Sequence, residues 1–243
     1  MLSSKRLEPL PAPGACLASI DGMSLARYDG VADWYRRFRP ALPPDELDVL
    51  KRLLGRGEGR CLDVGCGTGL ATEAVAELGW SAVGVDLSVD MLESARGRGL
   101  EVVRGSATEL PFDDESFDAA VSSQTHIDID DFAAAMSETA RVLRREAPLV
   151  YIGSHPCFMG PHSVFLAGEG VPELHPGYRQ AGRYDESAPG VANPEGIRAK
   201  VGAVHLPLAA FLGAFLDAGF RIDRFEELGS RDYPHVVALR ARR

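Results

Sequence analysis

The sequence predicts an α/β fold in which a mostly parallel sheet carries helices on both faces. Three observations predict it. Short, apolar runs rich in β-branched residues occur at 60–65, 81–86, 100–106, 117–123 and 147–154, and helix-like stretches separate them. The connections are short, which favours right-handed β-α-β crossovers within one sheet. Finally, "CLDVGCGTG" at 61–69 places three glycines at alternate positions where the first strand must turn into a helix.

Taken in order, a Pro- and Gly-rich arm comes first, and "ADWYRRF" and "PPDELDVLKRLLG" follow it as predicted helices. The second has Pro near its start, acids in its first turn and Gly just past its end. Residues 1–58 are therefore read as an N-terminal arm with cap helices, and 59–243 as the main domain. Within that domain "RCLDVG", "SAVGVD", "LEVVRGS", "FDAAVSS" and "APLVYIGS" are the strands, and "LATEAVAELG", "SVDMLESARGRG" and "DDFAAAMSETARVLRRE" the helices between them. Over 157–205 the alternation stops and Pro, Gly, aromatic and His residues recur. An irregular insertion of this length inside a compact domain is expected to form a lid or substrate wall, a disordered linker being the other reading. "LPLAAFLGAFLDAGF" then resumes as a helix ending at Gly219, and "RIDRFEEL" and "HVVALRAR" read as an antiparallel pair.

Composition narrows the function. A chain of 243 residues can bury a sizeable core. Its net charge of -9 opposes the phosphate affinity that nucleic-acid binding needs, so no such partner is expected. Cys16, Cys61, Cys66 and Cys157 show no paired spacing and read as reduced thiols of a cytoplasmic protein. No apolar run approaches the roughly 20 residues of a membrane span, and prolines interrupt the N-terminus as a signal peptide. Metal binding is not expected either: "FDDESFD" reads as a solvated turn, and no His/Cys/Asp group has ligand spacing.

The glycines ask for a ligand. In an open parallel sheet ligands lie beyond the carboxyl ends of the strands, where strand order reverses, and Gly65-Cys66-Gly67-Thr68-Gly69 falls at such a place. Without Cβ the chain can take positive φ and let a ligand approach. The helix that follows offers free N–H groups and a positive dipole end to a carboxylate or a phosphate, and both remain open. The spacing is G-x-G-x-G with Asp63 two residues ahead, not the dinucleotide G-x-G-x-x-G, and the absence of G-K-[ST] excludes a P-loop. Asp86 ends the second strand, where an acid can accept both hydroxyls of a ribose; that fits NAD as well as any other adenosine ligand.

"LDVGCGTG", "VGVDLS", "GSATELPFDDESFDAAVSS" and "ETARVLRREAPLVYIG", in that order over roughly 60 to 155, resemble the class I S-adenosylmethionine-dependent methyltransferases, in particular their small-molecule branch. The resemblance implies a Rossmann-like, seven-stranded sheet of order 3-2-1-4-5-7-6 with the last strand antiparallel. It implies S-adenosyl-L-methionine as cofactor, and in-line methyl transfer to an O, N or C nucleophile of a small molecule in bacterial specialised metabolism, by a monomer or homodimer. Carried over by position, Asp63 and the loop Gly65, Cys66, Gly67, Thr68 and Gly69 would hold the methionine part of the cofactor. Asp86 would take the ribose hydroxyls, and Leu87 would lie against the adenine. Ser106 and Ala107 stand where the family more often has Asp-Ala beside the adenine amine, so that contact would lack charge. Ser123 and Gln124 would lie beside the sulfonium, and Tyr28 would close over the methionine carboxylate.

A proton-bearing acceptor needs a base, and His has the pKa for it near neutrality. His126, beyond the fourth strand, and His155, at the opening of the insertion, are the candidates. His162 and His175 are expected at the surface, and His205 near the last helix. Phe158, Phe165, Tyr178 and Tyr184 would give the acceptor pocket an apolar wall. Two other readings stay open: a cyclase of the same fold that keeps the cofactor without transferring its methyl group, and an NAD-dependent oxidoreductase, which the glycine spacing disfavours.

Overall fold

The computed structural model describes residues 26–158, 177–184, 196–229 and 233–243. After α1 (Ala32–Phe38) and α2 (Pro44–Leu54) the chain alternates β1 (Arg60–Val64), α3 (Leu70–Glu77), β2 (Ser81–Asp86), α4 (Val89–Arg96), β3 (Glu101–Arg104), β4 (Ala119–Ser123), α5 (Phe132–Val142) and β5 (Pro148–Ser154). It continues with β6 (Gly182–Tyr184), α6 (Arg198–Val201), β7 (Ala203–His205), α7 (Leu208–Asp217), β8 (Arg221–Leu228) and β9 (Val236–Arg242).

Seven strands form one sheet in the order β3-β2-β1-β4-β5-β9-β8. Counting only the strands of this sheet, that is 3-2-1-4-5-7-6. β9 runs antiparallel to both β5 and β8, while β1 pairs in parallel with β2 and β4. Chain order reverses between β1 and β4, which opens the crevice at their carboxyl ends.

The two-residue period of a strand explains why these runs are apolar throughout. Cys61, Val121, Val150, Ile152 and Ala238 face one side, where they pack with Leu50, Leu53 and Val75 of α2 and α3. Their neighbours Leu62, Ala120, Leu149, Tyr151 and Leu239 face the other side and meet Phe132, Phe211 and Phe215 of α5 and α7. By burying Val49, Leu50, Leu53 and Leu54 in this way, α2 shares the core of the sheet.

The stretch 157–205 is not irregular throughout. β6 and β7 pair antiparallel, with Gly182 opposite His205, and Val204 N–H donates to the Ile127 carbonyl at 2.8 Å. Val204 and Leu206 are thereby drawn into the core on the α5 and α7 side. Burial of these side chains holds a three-residue ribbon that periodicity cannot register. Cys16, His162, Phe165 and His175 lie outside the described residues.

Candidate functional site

Three glycines with positive φ carry the chain from β1 into α3: Gly65 at 72°, Gly67 at 52° and Gly69 at 86°. They do different work. A Cβ on Gly65 would lie 2.5 Å from Thr125 Cγ2, and one on Gly69 2.3 Å from Leu100 Cδ1, so these two allow the loop to press against its neighbours. Nothing lies within 4 Å of the equivalent point on Gly67, which borders open space. The loop is pinned to β2: Gly65 N–H and Cys66 N–H donate to the Val85 carbonyl at 2.8 and 3.0 Å, and Gly67 N–H donates to Asp86 Oδ2 at 2.9 Å. The glycine loop and Asp86 therefore meet. Leu87, next in the chain, leaves a large apolar side chain exposed, a suitable contact for a flat ring.

Cys66 and Thr68 enter differently from the sequence reading. Cys66 is buried, and its Sγ occupies the space that a side chain on Gly84 of β2 would need, 2.7 Å from the position of that Cβ. Burial pushes its thiol well above the usual range. Thr68 is likewise buried. Their side chains pack inward, which leaves the open face beside Gly67 to a ligand.

Two carboxylates stand at the head of the crevice, Asp86 half-buried and Asp63 buried. Asp86 accepts from Ser88 N–H at 2.9 Å as well as from Gly67, yet burial still raises its pKa. Asp63 is buried more completely: Thr72 Oγ1 donates to its Oδ2 at 2.6 Å, while its Oδ1 has no hydrogen-bond partner. Burial pushes Asp63 up to about 7 against the Thr72 hydrogen bond, with a further rise from the charge of Asp86. A buried, unpartnered carboxylate oxygen fits a ligand that brings a cationic or N–H group, as the α-ammonium of a methionine-derived cofactor would.

The crevice is bordered by β4. Ser122 Oγ donates to the Val64 carbonyl at 3.1 Å and pairs with Thr125 Oγ1 at 2.6 Å, fixing the turn that overlies Gly65. Gln124 has φ of 62°, uncommon for a residue with a side chain, and its Oε1 accepts from both Ser154 N–H and Ser154 Oγ at 3.0 Å. The carbonyl end of Gln124 is thus committed to β5. Ser123 lines a narrow pocket between β4 and α2. On the far side, Ser106 Oγ accepts from Thr108 N–H at 3.2 Å in a local turn, and Ala107 packs against the core.

Neither predicted histidine base is placed to act as one. His126 is buried among Phe132, Tyr151 and Phe211, its ring centroid 5.1 Å from that of Phe211, and its Nδ1 shares a hydrogen bond of 2.5 Å with the Tyr151 hydroxyl. Burial lowers its pKa to about 3, so it is a core histidine and a poor proton acceptor at neutral pH. His155 accepts Cys157 N–H at Nδ1, at 3.1 Å, and directs Nε2 at Glu227 Oε1, 2.8 Å away. Both its nitrogens are engaged within the protein. His205 is buried too, with Nε2 2.8 Å from the Tyr178 carbonyl.

Sequence reasoning missed the polar cluster above the crevice. The Tyr28 hydroxyl donates to Asp128 Oδ2 at 2.9 Å, in the turn after β4. Arg198 of α6 donates to Asp128 Oδ1 at 2.6 Å and to the Gly202 carbonyl at 3.2 Å, and Arg27 pairs with Asp130. Ser88 caps α4 and donates to Asp29 Oδ1 at 2.6 Å. The segment before α1, the turn after β4 and the end of the insertion are thereby tied together. The Ser88 cap was readable in "DLS"; no local pattern marks Arg198, because its partners lie 70 and 170 residues away. With 18% and 20% side-chain exposure, the Arg198–Asp128 pair stands between surface and buried pairs. Arg198→Met is expected to cost about 2 kcal/mol and Tyr28→Phe about 1 kcal/mol in urea denaturation.

A parallel sheet whose strand order reverses beside a glycine loop joined to an acid at the end of β2 defines an open, doubly wound α/β protein. Residues 62–151 match the family described as "Methyltransferase domain". A demethylmenaquinone methyltransferase of Mycobacterium sp. (strain KMS) is 44% identical over 98 residues, which are 40% of this chain and 43% of that protein. The chain thus spans less than half the length of this relative. An S-adenosylmethionine-dependent methyltransferase from Mesorhizobium loti superposes with a TM-score of 0.67 at 24% identity, over 88% of this chain and 99% of the other. The [4+2]-cyclase SpnF superposes with a TM-score of 0.64 at 18% identity, over 91% and 97%. These two likenesses show the fold.

Proposed function

We propose that this protein binds S-adenosyl-L-methionine in the crevice at the carboxyl ends of β1, β2 and β4 and methylates a small molecule. The joining of Gly67 N–H to Asp86 is the observation that carries the reading, because it sets an open backbone beside a ribose-binding acid. When bound, the cofactor supplies a methyl group activated by a sulfonium. The residues of the chain bind and orient: Asp86 accepts the ribose hydroxyls, Leu87 covers the adenine, and the loop backbone with Asp63 holds the methionine end. The cluster of Tyr28, Asp128 and Arg198 closes over the crevice and excludes water, which alignment for an in-line displacement requires. Tyr178 and Tyr184, from the described part of the stretch 157–205, are read as part of the acceptor wall. We read the acceptor as an O, N or C nucleophile of bacterial specialised metabolism and the protein as cytoplasmic, a monomer or homodimer. No helix among the described residues is long and apolar enough to cross a membrane.

Calorimetry with S-adenosylhomocysteine tests the cofactor site. Tight binding is expected, and Asp86→Ala should weaken it by about 1.5–3 kcal/mol, the worth of hydrogen bonds to a charged acceptor. Binding of NAD with no response to S-adenosylhomocysteine would sink the proposal. The fold shared with SpnF favours one second reading, a cyclase that keeps the cofactor. Methyl-labelled cofactor separates the two, since binding without label transfer to any of a broad acceptor panel supports the cyclase.

A further inference from the structure

An acid sits where helix periodicity calls for an apolar residue. Glu46 shares the inner stripe of α2 with Val49, Leu50 and Leu53, and it is only 3% exposed. Its Oε2 accepts from Arg39 Nη2 at 2.5 Å, while its Oε1 makes no hydrogen bond to any described residue. Glu46 lines the narrow pocket at the carboxyl ends of β4 and β5, together with Leu42, Leu50, Ser122, Ser123 and Ile152. Among those pocket residues it is the one ionisable group. Ser122 has its hydroxyl occupied by Val64 and Thr125, so Glu46 and Ser123 are the polar groups left to an occupant. Fold stability does not ask for this arrangement: desolvating a carboxylate costs several kcal/mol, and a hydrophobic side chain on the stripe would avoid that cost.

We propose that Glu46 anchors the acceptor by accepting a hydrogen bond from its hydroxyl group. This rests on the methyl-transfer reading, which places the reacting methyl group near Ser123. The chemical class of the acceptor follows from charge and shape. Arg39 already balances the carboxylate, so an uncharged hydroxyl fits better than an ammonium. The narrow apolar walls admit the hydroxyl-bearing end of a slim molecule. Ser123 then stands between the anchored hydroxyl and the cofactor crevice, at the carboxyl end of β4.

Saturation-transfer NMR on the full chain saturated with S-adenosylhomocysteine tests this, with butan-1-ol, benzyl alcohol and phenol as probes. The wild type should bind at least one of them. Glu46→Gln, which keeps the shape and the Arg39 contact, should bind it about fivefold more weakly, the value of one hydrogen bond, with S-adenosylhomocysteine affinity held within about twofold. Leu42→Phe narrows the pocket from the half-buried residue ahead of α2 and should give the same loss should Glu46→Gln fail to fold. Absence of all three alcohols from the wild type, or undiminished binding in both variants, overturns the inference. Failure of the underlying reading shows separately, as absence of S-adenosylhomocysteine binding by the wild type.

Discussion

Acidification from pH 7 to pH 4 is expected to cost the wild-type protein about 3 kcal/mol more than it costs a His126→Phe, Tyr151→Phe double variant. The cause is the aromatic enclosure. His126 is held neutral down to about pH 3 in the folded chain, because charging it would place an imidazolium among Phe132, Tyr151 and Phe211. In the unfolded chain the same side chain protonates near pH 6.5. Above pH 6.5 both states are neutral and His126 adds no pH dependence. Between 6.5 and 3 the unfolded state binds the extra proton, so stability falls as pH falls, and below 3 the loss is complete. The double variant removes both hydrogen-bonding partners and replaces them with rings of similar shape, a change that can be nearly neutral, whereas His126→Phe alone would orphan the buried Tyr151 hydroxyl. Urea denaturation of both proteins at pH 4, 5, 6 and 7 gives the comparison. Parallel pH profiles would show that His126 does titrate in the fold and belongs to an accessible site after all.

The same residue shows how far a sequence can be read. Strands β1 to β5 were legible because burial on both faces demands continuous apolar runs, and Cys61 and Leu62, one residue apart, do serve opposite cores. The glycine turn was legible because positive φ and close backbone approach restrict the residue type, so its geometry survives in local spacing. His126 was misread since nothing in "SSQTHIDID" tells whether a side chain after β4 points along the crevice or back toward α5 and α7. His155 failed for a related reason: its partner Glu227 is 72 residues on and enters through β8. Asp128, Arg198 and Glu46 were passed over as ordinary charged residues. Charge alone carries no mark of burial, and each gains its meaning from a partner brought by topology, or, for Glu46, from a helical stripe that reads as acidic at one position.

Asp63 should reverse the sign of the His126 effect. Its carboxyl group has a folded pKa of about 7 against about 4 when unfolded, so the folded state holds the proton more tightly between those values. That contribution is fully present below pH 4 and is lost as pH rises through 7. Asp63→Asn removes the ionisation while keeping an oxygen for Thr72, so between pH 5 and pH 8 the variant should gain about 3 kcal/mol relative to the wild type. The two groups oppose each other over pH 4–6.5, and the wild type should show a flatter profile there than either variant. Ligand binding gives the matching test. A cationic group that meets Oδ1 favours the ionised carboxylate, so wild-type affinity for S-adenosylhomocysteine should rise from pH 6 to pH 8 with proton release, and Asp63→Asn should bind more weakly without that rise. Calorimetry in buffers of different ionisation enthalpy measures the released proton directly. An equal pH dependence of affinity in the two proteins would mean that Asp63 is a strained structural acid with no contact to the ligand, and that the orphaned oxygen faces something other than the methionine end.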